Sequence, residues 1–118
     1  MKKIDGDNFL MNVFLELIRR NKLEISMVNL IKLEYNFLEL LEDENVILEN
    51  SVDNINKFVK EYEEYLEIIE KDGMVKVFIS NEEEFKDVLL ENYEQDIDNN
   101  AIYRKALKME INKDTKIA

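Results

Sequence analysis

Met27-Val-Asn-Leu-Ile-Lys-Leu-Glu-Tyr-Asn-Phe-Leu-Glu-Leu-Leu41 is the stretch whose reading decides the fold. Its apolar residues stand at 27, 28, 30, 31, 33, 35, 37, 38, 40 and 41. A surface helix carries an apolar stripe about 100° wide. This density exceeds one stripe, so the sequence predicts a central helix over 27–42, buried on several sides.

Upstream, Asp7 is the expected N-cap of a helix from Asn8 to about Arg20. Phe9, Leu10, Val13, Phe14, Leu17 and Ile18 recur at spacings of three and four, which places them on one face. Arg19, Arg20 and Lys22 sit at its C-terminal end, where the helix dipole favours cations. Asn21 to Ile25 read as the link, with a short extended piece over 22–26 as the alternative, and Ser26 as the N-cap of the central helix. So tight a joint predicts a helical hairpin or a helix-turn-helix-like corner.

Downstream, Glu42-Asp43-Glu44-Asn45 predicts a helix stop, and Val46-Ile47-Leu48 a short strand. Ser51 is the expected cap of an amphipathic helix from Val52 to Ile69, apolar at 52, 55, 58, 59, 62, 65, 66 and 69. Its outer face would pair Lys57 with Glu61, Lys60 with Glu64, and Glu67 with Lys71 at i,i+4. Lys71-Asp72-Gly73 is a turn signal, because Asp-Gly accepts positive φ. Met74 to Ser80 alternates as a strand, with a partner among 46–49, 105–111, 23–25 or another chain. Ser80 and Glu83 have capping-box spacing, opening a helix from Asn81 to about Tyr93 with Phe85, Val88 and Leu89 inward. Residues 95–100 read as a loop. Residues 105–111 fit a helix or an alternating strand, with a helix to about Met109 preferred, and 112–118 read as a frayed tail.

The fold class expected is α+β, predominantly helical. About four to five helices surround the central buried helix, with a small two- or three-stranded sheet including 74–80. A chain of 118 residues that is 46% apolar forms one compact domain over 1–118 on this reading. Met1-Lys2-Lys3 begins as a signal peptide does, but Asp5 and Asp7 occupy the place of its apolar run. No apolar stretch approaches the roughly 18 residues that span a bilayer. The expectation is a cytoplasmic protein that does not enter membranes. The abundance of Asn, Lys and Ile fits an AT-rich bacterial or phage genome.

Composition also excludes chemistry. With no His and no Cys, imidazole and thiol catalysis, disulfides and the usual zinc sites are absent. Gly6 and Gly73 are the only glycines, too few for a phosphate-cradling loop. Asp96-x-Asp98-x-Asn100 opens like a calcium loop, but Ala101 and Leu107 stand where the Gly and the bidentate Glu belong. Neither a catalytic role nor a cofactor is expected.

The net charge of −11 is unevenly spread. Glu39 to Asp98 holds 20 acids and 5 lysines, while both ends are mildly basic. Such a field repels nucleic acid and anionic membrane, and draws basic partners. Arg19, Arg20, Lys22 and Lys32 at the helical corner do not reverse it.

Two functional readings follow. In the first, Glu61, Glu63, Glu64, Glu67, Glu70, Glu83, Glu84, Asp87, Glu91 and Glu94 form acidic helix faces that bind a basic surface on a partner protein, a nucleic-acid-binding enzyme being one candidate. Duplex DNA carries about one charge per 1.7 Å, and helix glutamates three and four apart give one per roughly 5 Å. Two acidic helices would therefore have to share the track. In size and acidity the chain is similar to small nuclease inhibitors, anti-restriction and anti-CRISPR proteins and immunity proteins, without a motif of any of them. In the second reading the chain is an assembly subunit or homodimer with a winged-helix-like or helical-hairpin core, completed at the apolar 27–41 helix and the 74–80 strand. The acids then serve solubility.

Overall fold

The computed structural model of the protein describes residues 2–93 and 102–106. The elements run β1 (Lys3–Ile4), α1 (Asn8–Arg19), β2 (Glu24–Ser26), α2 (Met27–Asp43), β3 (Ile47–Leu48), α3 (Ile55–Glu61), β4 (Leu66–Lys71), β5 (Met74–Ile79), α4 (Glu82–Asn92) and α5 (102–106). The fold is α+β and mostly helical. The calcium-like loop at 96–100, Glu94, and the tail lie outside the described residues, as do 107–111; what is described of the last segment is helical.

α1 threads the core. Val13 and Phe14 are fully buried. Phe9 stacks on Phe37 of α2 at 4.8 Å, and Phe14 meets Phe58 of α3 at 5.5 Å and Phe85 of α4 at 6.0 Å. α5 closes the far side. Tyr103 stacks on Phe37 at 5.2 Å, and its hydroxyl donates to the Asp5 carbonyl at 3.0 Å.

α2 contacts β5, β2 and β3 and lends Leu30, Leu33, Phe37 and Leu41 to the core. Its burial is one-sided. Val28, Ile31, Tyr35 and Leu38, which the density argument would also bury, face outward. α1 is the more enclosed of the two helices.

Helix ends follow side-chain chemistry, though not always at the expected residue. Ser26 Oγ accepts from Asn29 N–H at 3.1 Å, as read from the sequence. Asp7 holds the N-cap position of α1 but makes no side-chain cap bond there. The Asp5 carboxylate acts instead, accepting from Asp7 N–H at 2.9 Å. Asn54, not Ser51, caps α3 through bonds from Asn56 and Lys57 N–H. The Ser80–Glu83 box does not form. Ser80 Oγ donates to the Tyr65 carbonyl, and Asn81, in left-handed geometry, donates from its side chain to Glu84 at 2.6 Å.

α1 and α2 end alike. Asn21 (φ 59°) and Asn45 (φ 55°) take the left-handed position that glycine usually fills. Lys22 N–H bonds the Leu17 carbonyl, and Val46 N–H the Leu41 carbonyl, closing each helix in a Schellman motif.

The expected helix over 52–69 is the main correction. Only Ile55–Glu61 is helical; Tyr62–Tyr65 turns, and Leu66–Lys71 is a strand. Glu64 therefore lies in the turn and Glu67 and Lys71 in β4, so two of the three expected helix ion pairs have no helix to sit on. The cause is tertiary. β5 needs partners on both sides, and Asp72-Gly73 is a two-residue loop with both φ positive, which joins paired strands. β5 lies between β2 and β4, antiparallel to both, with Val77 opposite Ile25 and Ile68. The 23–25 partner read from the sequence is thus one of two. β3 pairs instead with β1, in parallel. Gly6 is buried where this small sheet meets α1; a Cβ there would lie 2.2 Å from the Asn50 carbonyl oxygen.

Candidate functional site

Of the ten acidic positions, the nine that are described do not form two helix faces. Glu61 ends α3, Glu63 and Glu64 occupy the turn, and Glu67 and Glu70 lie on β4. Side chains alternate along a strand, so Glu67 and Glu70 point to opposite faces of the sheet. Glu83, Glu84, Asp87 and Glu91 are exposed on α4, where 84, 87 and 91 share one side.

The turn nevertheless sets Tyr65 against one of these acids. The Tyr65 hydroxyl donates to Glu84 at 3.4 Å, and its ring stacks on Phe85 at 5.4 Å. Partial burial, then the charges of Glu84 and Glu64 and the hydrogen bond to Glu84, with Glu91 last, raise this hydroxyl above the ordinary phenol range. Glu84 thus meets the Tyr65 hydroxyl directly, while Glu64 and Glu91 act on it only through their charge.

A second acidic spot was missed by sequence reasoning. A cavity of about 270 Å³ is lined by Asp7, Asp53, Glu61, Tyr62 and Asn92, among others. Partial burial, then the charge of Asp7 and a hydrogen bond with it, push the Asp53 carboxyl above its ordinary value; Lys57 opposes this and Glu61 adds to it. Asn92 Nδ2 donates to the Tyr62 hydroxyl at 3.2 Å. Burial raises that hydroxyl, the Asn92 bond opposes the rise, and Glu61 and Asp53 reinforce it. Asp53 also lines a second cavity, of about 280 Å³, between α1, α2 and residues 52–55. The signal for this pairing was weak, because Asp7 and Asp53 are 46 positions apart and each reads as an ordinary loop or helix-end acid.

By contrast Glu16 is compensated. Burial pushes its carboxyl up, but hydrogen bonds and charge from Arg19 and Arg20 outweigh this and hold it below the ordinary range. Lys76 pairs with Glu24 across β5 and β2 at 3.1 Å. Among the described residues, no three His, Cys, Asp or Glu side chains are placed to hold a metal ion, and no helix is long and apolar enough to cross a membrane.

No protein-family model matches the chain, and no curated protein or solved structure matches it either. What it does must be read from its own geometry.

Proposed function

We propose that the protein is a non-enzymatic contact module that binds a basic surface of a partner protein through the 62–65 turn and the outer side of α4. The bond from the Tyr65 hydroxyl to Glu84, with Glu64 next to Tyr65 in the turn and Asp87 and Glu91 on the Glu84 side of α4, carries this reading. Like charges along this turn and helix side repel one another, and an arriving cation relieves that repulsion. Arginine suits the place, since it pairs with carboxylates and stacks on aromatic faces. Along α4 the rises from Glu84 to Asp87 to Glu91 are about 4.5 and 6 Å, and Glu64 joins from the turn. A carboxylate track shared by two elements suits occlusion of a nucleic-acid-binding enzyme's basic surface, which is the inhibitory use we favour.

The order of elements supports a winged-helix-like core for this module. α1, β2, α2, α3, β4 and β5 follow in turn, with β5 between β2 and β4 and the Asp72-Gly73 turn at the tip. With a net charge of −11, such a core suits protein contact better than a phosphate backbone.

The test is capture of partners from a bacterial lysate on the tagged chain, at about 0.1 M and about 1 M salt, where the Debye length falls from roughly 10 to 3 Å. A partner held at low salt, released at high salt, and lost by the combined Glu64→Gln, Glu84→Gln, Glu91→Gln variant supports the reading. A partner that survives both salt and variant refutes it.

A further inference from the structure

We propose that the outward side of α2, with the cavity beside it, is a docking groove for a basic amphipathic helix of a partner protein. This is a different surface from the acidic face of α4, and it stands whether or not that face is used.

Val28, Ile31, Tyr35 and Leu38 are 57%, 62%, 63% and 40% exposed. Single exposed apolar residues need no explanation, but a contiguous apolar patch marks an interaction surface. These four recur at spacings of three, four and three, so they align along roughly 15 Å of helix. That is the seam one helix presents to another. The same helix already buries Leu30, Leu33, Phe37 and Leu41 on its other side. Among the described residues, α2 therefore carries two apolar stripes, of which one serves the core.

The cavity between α1, α2 and residues 52–55 adjoins the stripe at Ile31. Phe9, Leu10 and Leu30 give it a buried apolar lining, and Glu34 and Asp53 are its half-buried carboxylates. A side chain with an apolar stem and a cationic end fits both parts, which describes arginine or lysine.

Charge selects the occupant. At 100° per residue Glu34 flanks the stripe on one side, Lys32 and Glu39 flank it on the other, and Glu42 takes the next place in the series. A second copy would bring these acids against their own kind, on two chains each of net charge −11. A basic helix meets opposite charge at Glu34 and Asp53 by the cavity, at Glu39 and Glu42 along the stripe, and in the whole-molecule field, with Lys32 the one like charge among these flanking groups.

The experiment is a titration of the isotope-labelled full chain, followed by amide chemical shifts. The probe is a synthetic helical peptide with Leu at i, i+3, i+4 and i+7 and Arg elsewhere; a control peptide carries Gln for Leu at the same charge. Shifts should centre on α2 and 52–55 with the Leu peptide and be absent there with the control. Ile31→Asp with Tyr35→Asp should weaken binding roughly tenfold, and Glu34→Gln with Asp53→Asn several-fold. These side chains lie outside the buried core, and the spectra report directly whether each variant stays folded. Shifts confined to the 62–65 turn and α4, or affinity indifferent to the α2 variants, would overturn the proposal. So would a wild-type chain that sediments as a dimer dissolved by Tyr35→Asp.

Discussion

The Tyr65 hydroxyl donates to the Glu84 carboxylate, while the Tyr65 ring stacks on Phe85, the next residue along α4. One side chain thus belongs to the core by its ring and to the acidic face by its oxygen. Tyr65→Phe should leave the urea midpoint nearly unchanged, because the bond it loses is exposed. Tyr65→Ala should lower the midpoint clearly, because the stack goes too. Equal losses in the two variants would mean that the hydroxyl, not the ring, holds the turn against α4.

Gly6 is fixed by space. A methyl group there meets the Asn50 carbonyl at 2.2 Å and the Ser51 backbone at 2.7 Å. Gly6→Ala should cost about 1–3 kcal/mol, the range for overpacking a tight site. Gly73 differs, since it has positive φ and nothing within 4 Å of the place a Cβ would take. Asn tolerates that conformation, so Gly73→Asn should be nearly neutral. Chemical denaturation of both variants checks the contrast.

Asn45 ends α2 at positive φ. Asn45→Ala should destabilise by up to about 1 kcal/mol, because both residues carry a Cβ and Ala lacks the polar side chain that eases left-handed geometry. Asn45→Gly should be neutral or better. The reverse order in thermal melts would contradict the Schellman assignment.

Asp53 and Glu16 predict opposite responses to acid. The folded state raises Asp53 above its ordinary value of 3.8, so the protonated form binds better in the fold and stability falls as pH rises through that window. Asp53→Asn should therefore stabilise at neutral pH and give no gain well below pH 3.8. Glu16 is lowered from 4.5, so its contribution is present above that value and is lost as pH falls through the depressed one. Glu16→Gln should destabilise at neutral pH and converge with wild type in acid. Urea titrations across pH 3–7, read as midpoint differences, decide both signs.

Helix boundaries were legible at both ends of α2, whereas Asp7, Ser51 and the Ser80–Glu83 pair do not cap as their residue types suggest. Ser26 caps α2, and Asn45 follows a run of acids that stops it. The 62–71 segment was not legible from its own residues. Tyr62, Tyr65, Leu66 and Ile69 satisfy helical spacing, while Leu66 and Ile68 also alternate as a strand. Only β5, beyond the turn, arbitrates between them. The deciding clue is Asp72-Gly73, because a two-residue loop demands a strand on each side. The proposed acidic site shares this fate. Its carboxylates are visible in the sequence, but their grouping depends on the turn that sets Tyr65 against α4. On α2, a dense apolar run conceals two separate stripes, and composition alone cannot tell a buried second stripe from an exposed one.

The most direct test of the contact-module account is amide hydrogen exchange on the chain alone and in complex with the partner recovered by capture. The account predicts that residues 62–65 and the Glu83–Glu91 stretch of α4 gain protection on binding, and lose that gain with the Glu64→Gln, Glu84→Gln, Glu91→Gln variant. Unchanged exchange across both segments in a saturated complex would contradict it.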